Sequence, residues 1–122
     1  MSSDKIKTVV IVDDDKVQHM INRKILLRSC PDLCLQFFES PLTALDWLAE
    51  NQADLLLLDI NMPEMKGWEF LEILESKSIE LDVKMLTSSM DADDVEKSKK
   101  YRLVSGFLIK PLNKNEVEVL LN

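Results

Sequence analysis

Apolar residues along this chain fall into two patterns: short unbroken runs, and stripes that recur every three or four positions. The densest run is Leu55-Leu56-Leu57-Leu58, closed by Asp59 and followed by Ile60-Asn61-Met62-Pro63. Four leucines bounded by acids are too short for a free-standing helix and lack the alternation of a half-exposed strand, so they predict a strand buried on both faces. Pro63 cannot continue a ladder and ends it. Lys7 to Val12, rich in β-branched residues, predicts a second strand of the same kind. Leu33 to Phe38, Val83 to Ser89 and Gly106 to Ile109 predict three more.

Helical periodicity fills the intervals. Val17, Met20, Ile21 and Ile25 predict a first helix with those residues on the core, and Asp15 with Gln18 three positions later reads as an N-cap and capping box. Ser40-Pro41 opens a second helix as N-cap and N1, with Leu42, Leu45, Trp47, Leu48 and Ala49 as its apolar stripe. Gly67 precedes a third, Trp68 to Leu74, whose inner side is Phe70, Leu71 and Leu74. Asp91 to Arg102 predicts a charge-rich fourth helix with only Ala92, Val95 and Tyr101 facing inward, hence the least firmly docked. Asn115 to Leu121 predicts a short last helix using Val117, Leu120 and Leu121. Regular strand–helix alternation imposes a parallel sheet with right-handed crossovers. The usual open arrangement of five strands is the doubly wound order 2-1-3-4-5 with helices on both faces.

Composition narrows the picture. A length of 122 residues fits one domain over 1–122, and 46% hydrophobic with 30% charged residues is the profile of an ordinary globular protein. A net charge of −7 argues against nucleic-acid binding through a general basic surface, and the run Lys97, Lys99, Lys100, Arg102 reads as a solvated helix face. No apolar run is long enough to span a bilayer and the first residues carry no apolar signal region, so a cytoplasmic location without membrane insertion is expected. Cys30 and Cys34 are spaced C-x3-C, neither a redox pair nor half of a zinc site, and are expected to be free thiols. His19 has no second ligand nearby in sequence and reads as structural or solvated, while Trp47 and Trp68 read as packing residues.

In an open parallel sheet the reactive crevice lies beyond the carboxyl ends of the strands. The predicted strands end in Asp13-Asp14-Asp15, Asp59, Thr87-Ser88-Ser89 and Lys110, so this topology would gather Asp13, Asp14, Asp59, Thr87 and Lys110 at one edge. Three carboxylates about 4 to 6 Å apart repel by a few kcal/mol per pair at an effective dielectric near 20, which a divalent cation with hard oxygen ligands would offset. Taken singly, each residue has a bland reading as a cap, a satisfied hydroxyl or a solvated lysine. Their joint placement is what points to chemistry.

The set Val12-Asp13-Asp14-Asp15, Leu58-Asp59-Ile60-Asn61-Met62-Pro63, Gly67 eight residues after Asp59, Thr87-Ser88 and Lys110-Pro111 resembles the receiver domain of two-component response regulators, of the chemotaxis-receiver kind. The resemblance covers essentially the whole chain and implies a flavodoxin-like fold. It implies that Asp59 is the phosphoacceptor for a phosphohistidine, and that Asp13, Asp14, Asp59 and the backbone carbonyl of Asn61 hold Mg²⁺. Thr87 would hydrogen-bond the incoming phosphoryl group, Lys110 would pair with it, and the Lys110-Pro111 bond would be cis. Phe107 would be a switch aromatic coupled to Thr87, with an output face on the fourth helix, fifth strand and fifth helix. Asn61 and Ser89 stand where the family tunes the lifetime of the phosphorylated state, and Lys66 where many relatives carry an acid.

By the same resemblance the chain is a signalling domain that catalyses its own phosphorylation and slow autodephosphorylation, rather than an enzyme with a separate substrate. Its partners would be a histidine kinase or histidine phosphotransfer protein upstream and a protein target downstream, in a phosphorelay. The sequence is compatible with a stand-alone receiver or one cut from a longer regulator. Two rivals remain on the residues alone. Asp13 and Asp15 form a D-x-D like that of haloacid-dehalogenase-type phosphatases, but no later acidic motif or cap accompanies it. A phosphorylation-independent scaffold on the same fold would have no need of the full residue set.

Overall fold

The computed structural model describes residues 6–121. Ten elements alternate along the chain: β1 (Thr8–Val12), α1 (Lys16–Ser29), β2 (Cys34–Phe38), α2 (Pro41–Glu50), β3 (Leu55–Asp59), α3 (Gly67–Ser76), β4 (Asp82–Thr87), α4 (Ala92–Ser98), β5 (Val104–Ile109) and α5 (Lys114–Leu121). The strands form one parallel sheet in the order β2-β1-β3-β4-β5, the flavodoxin-like α/β arrangement that the alternation predicts. All of β3 is buried, as expected for a central strand covered on both faces.

Two apolar layers flank the sheet. Val10, Val12, Leu56, Leu58 and Met85 pack with α2 and α3 through residues such as Leu45, Leu48, Phe70 and Leu74. Val9, Ile11, Leu55, Leu57 and Leu86 pack on the opposite face with Leu26 of α1 and Val117 of α5. Register then decides where the chemistry lands. Val12 pairs with Phe38 and Leu58, Asp59 with Leu86, and Thr87 with Ile109. The next residue after β1 is Asp13 and the next after β5 is Lys110, so all four strand ends deliver their polar residues to one rim. Asp54, just before β3, holds the opposite end by accepting the backbone N–H groups of Lys7 and Thr8, each at 2.9 Å.

Several helical faces differ from the periodicity. In α1 the residues facing the core are His19, Asn22 and Leu26, whereas Val17 and Met20 are 60% and 65% exposed. Asp15 caps the helix by accepting the Val17 N–H at 2.9 Å, which fixes where the helix starts and hence its rotational phase. That phase turns polar side chains inward, so of the apolar stripe Ile25 packs on the core and Ile21 is half-buried, while Val17 and Met20 face solvent. Gln18 does not complete a capping box; its buried Oε1 has no partner among the described residues. Of the two readings of His19 the structural one holds: it is buried, packs edge-on against Phe37 with ring centroids 5.0 Å apart, and makes no hydrogen bond among the described residues.

In α2 the inner residues are Pro41, Ala44, Leu45 and Leu48, while Leu42 and Ala49 face solvent. Ser40 occupies the N-cap without a side-chain cap bond. β4 ends at Thr87, leaving Ser88 and Ser89 exposed in the following loop. α4 is only seven residues long, with Ala92 exposed; Tyr101 lies beyond it, stacked on Trp68 at 5.5 Å and donating to Glu72 at 2.9 Å. Cys30 and Cys34 are free.

Candidate functional site

At the carboxyl ends of β1 and β3, one oxygen from each of Asp13, Asp14 and Asp59 lies within 4.8 Å of the others. Asp13 is completely buried. One of its oxygens accepts the Asp15 N–H at 3.0 Å and the other accepts the Lys110 ammonium at 3.0 Å. The same ammonium stands 3.5 Å from Oδ1 of Asp59, which is 4% exposed. Asp14 is exposed at the mouth. Lys110 therefore bridges two buried carboxylates contributed by separate strands, and the Lys110-Pro111 peptide that follows β5 is cis.

Burial and the nearby Asp13 carboxylate push the Asp59 carboxyl up to about 6, against the pull of Lys110 and the Asn61 N–H, which donates to its Oδ1 at 3.3 Å. Burial opposes the charge on Lys110, but the hydrogen bond it donates to Asp13 and the attraction of Asp59 outweigh this and hold the ammonium above the usual lysine value. Three clustered acids facing one lysine leave an excess of negative charge. The donors are all hard carboxylate oxygens, a set that could hold a hard divalent cation such as Mg²⁺.

The Thr87 side chain is buried on the same rim. Its hydroxyl donates to the Ser89 carbonyl at 2.7 Å and accepts the Ser89 N–H at 3.3 Å, so it is engaged by its own loop. Lys110 N–H donates to the Thr87 carbonyl at 2.8 Å, tying the two strand ends together. Phe107, half-buried opposite Met85, packs on the same side of the sheet as α2 and α3. The structure thus brings Asp13, Asp14, Asp59, Asn61, Thr87 and Lys110 to one rim, with Phe107 on the strand that carries Lys110 there. It also adds a contact that sequence reading did not supply: Lys66 donates to the Asn61 side-chain carbonyl at 2.9 Å. The available signal was Gly67, whose close packing against β3 brings its neighbour back to the site.

The family described as "Response regulator receiver domain" matches residues 9–122, and the chain belongs to it. The structure is similar to a two-component response regulator from Cytophaga hutchinsonii, with TM-score 0.85 and 27% identity over 95% of this chain and 94% of that one. It shares its fold with the chemotaxis protein CheY4 of Vibrio cholerae, with TM-score 0.79 and 24% identity over 95% of this chain and 96% of that one. Among curated proteins it is 32% identical to the cyclic di-GMP phosphodiesterase response regulator RpfG of Xanthomonas campestris, over 89% of this chain and 29% of RpfG. It is 31% identical to the transcriptional regulatory protein MalR of Bacillus subtilis, over 93% of this chain and 48% of MalR. The chain thus spans half or less of the length of these regulators. No helix among the described residues is long and apolar enough to cross a membrane.

Proposed function

We propose that this receiver domain works by accepting a phosphoryl group on Asp59 from a phosphohistidine of a histidine kinase or histidine phosphotransfer protein. The observation that carries the reading is the shared ammonium: Lys110 lies 3.0 Å from Asp13 and 3.5 Å from Asp59, in a pocket with more acid than base. A carboxylate near 6 is ionised at neutral pH and competent to attack. The Asp59 oxygen forms a bond to phosphorus as the P–N bond breaks, and the electron pair of that bond returns to the imidazole. A Mg²⁺ ion held by Asp13, Asp14, Asp59 and the Asn61 carbonyl would neutralise the acids and add positive charge beside the phosphoryl oxygens. Lys110 turns from Asp13 to a phosphoryl oxygen. Thr87 exchanges the Ser89 carbonyl for another, and Phe107 follows the space that Thr87 vacates.

The output surface is the face formed by α4, β5 and α5, read by a protein target. α4, with seven residues, is the element most easily biased. The domain acts in the cytoplasm as a phosphorelay component that catalyses its own phosphorylation and slow autodephosphorylation. Incubation with phosphoramidate or acetyl phosphate and Mg²⁺, followed by intact mass, tests this. One added phosphoryl group is expected, absent in Asp59→Asn and in EDTA. An unchanged mass for the folded wild type across several donors would favour a phosphorylation-independent scaffold.

A further inference from the structure

A cleft of about 680 Å³ opens between α1 and the start of α2, over the end of the edge strand β2. Its volume is that of a small-molecule site. None of Asp13, Asp14, Asp59, Thr87 or Lys110 lines it. Part of its wall is a stripe of α1 in which Lys16 and Arg23 flank His19 and Met20 at helical spacing. Met20, 65% exposed, joins the half-buried Phe37 and Phe38 to give the cleft an apolar lining. The first turn of α2 completes the wall through Ser40 and Thr43.

Polar groups around this cleft lack the partners that folding usually supplies. Ser40 makes no side-chain cap bond and Pro41 has no N–H, so the N–H groups of Leu42 and Thr43, in the first turn of the ten-residue α2, meet no acceptor among the described residues. His19 is 9% exposed, and both its ring nitrogens are shut off from solvent with no hydrogen-bond partner among the described residues. Lys16 and Arg23 form no ion pair there, and α1 carries no acid to supply one. The ionised side chains of the lining, Lys16 and Arg23 against the exposed Glu39, sum to one positive charge, and the helix N-terminus adds to it. One singly charged oxyanion on an apolar body meets all of these demands together. We propose that the cleft binds a small monocarboxylate with an aromatic or short aliphatic body. The carboxylate accepts from the Leu42 and Thr43 N–H groups and from Arg23, and His19 donates to it after its ring turns about the Cβ–Cγ bond. The hydrocarbon lies against Met20, Phe37 and Phe38. A dianion would leave one charge uncompensated beside Glu39. Binding here requires no phosphorylation of Asp59.

The test titrates the full chain, labelled with ¹⁵N and free of divalent cations, with benzoate, hexanoate, benzyl alcohol and phenyl phosphate, and follows the amide and imidazole resonances by NMR. His19 is the only histidine of the chain, so its ring nitrogens are read without overlap. Benzoate and hexanoate are expected to shift the Leu42 and Thr43 amides and the His19 ring nitrogens saturably, with benzyl alcohol and phenyl phosphate at least about tenfold weaker. Arg23→Gln is expected to weaken benzoate about tenfold, the equivalent of one charge-assisted hydrogen bond. Ser40→Asp puts a carboxylate of the chain's own on the same N–H groups and is expected to abolish binding while the protein stays folded and unfolds at higher temperature. The absence of a saturable shift with either acid overturns the inference, as do benzyl alcohol binding as tightly as benzoate, shifts confined to the rim of Asp13, Asp59 and Lys110, or a folded Ser40→Asp variant that binds benzoate as wild type does.

Discussion

Asp59 holds a charge that its surroundings resist. Burial and the Asp13 carboxylate raise it from the ordinary 3.8 to about 6, and Lys110 recovers only part of the difference. A carboxyl whose folded value lies above its unfolded one contributes stability that is complete below about 4 and is lost as pH rises through about 6. The displacement corresponds to about 3 kcal/mol. Asp59→Asn, measured by urea unfolding without divalent cations, is therefore expected to be more stable than wild type by about 2–3 kcal/mol at pH 7.5, with the difference fading toward pH 4. Equal stability at pH 7.5 would mean that the pocket tolerates the charge. These residues were legible in the sequence because each sits at the end of an apolar run, where strand geometry leaves little freedom. The Lys66 to Asn61 contact was not, because it depends on how the loop between β3 and α3 folds back, and spacing alone does not encode that.

Secondary structure was most legible where burial is two-sided. β3 reads as a strand from four leucines alone, and β1 from its β-branched residues, because both faces of each meet helices. α1 was legible only in part, for the opposite reason: Ile25 packs on the core as its spacing predicts, but the core-facing side also carries Gln18, His19 and Asn22, and the solvent side carries Val17 and Met20. Asn22 is fully buried with neither side-chain atom hydrogen-bonded among the described residues, a state that costs free energy unless water enters. Asn22→Leu is expected to raise the unfolding free energy by about 1–2 kcal/mol in denaturant titration, the gain from removing an unsatisfied amide and adding apolar contact. A loss of stability would show that Asn22 binds buried water that the fold needs. α4 was overextended because charge-rich sequence continues past the point where packing ends it. Tyr101, predicted as an inward residue of that helix, instead anchors the following turn through Trp68 and Glu72, with Lys97 5.6 Å above the Trp68 ring.

At the level of the whole molecule, order and register do the assembling. Asp13 and Lys110 are 97 positions apart, yet parallel pairing of neighbouring strands brings their side chains to 3.0 Å. The order 2-1-3-4-5 followed from the alternation, since short right-handed crossovers leave few other open sheets. The partner of the Thr87 hydroxyl could not be read in advance, because it depends on how the loop after β4 folds, and here that partner is the Ser89 carbonyl. Asp59 as the phosphoacceptor is tested most directly by trapping the covalent bond it would form. After incubation with phosphoramidate and Mg²⁺, borohydride reduction followed by peptide mass mapping should convert Asp59, and no other acid, to homoserine, with no conversion when the donor or Mg²⁺ is omitted. Reduction at Asp13, Asp14 or Asp15 with Asp59 intact, or an Asp59 left unmodified in protein that has gained phosphate, would contradict it.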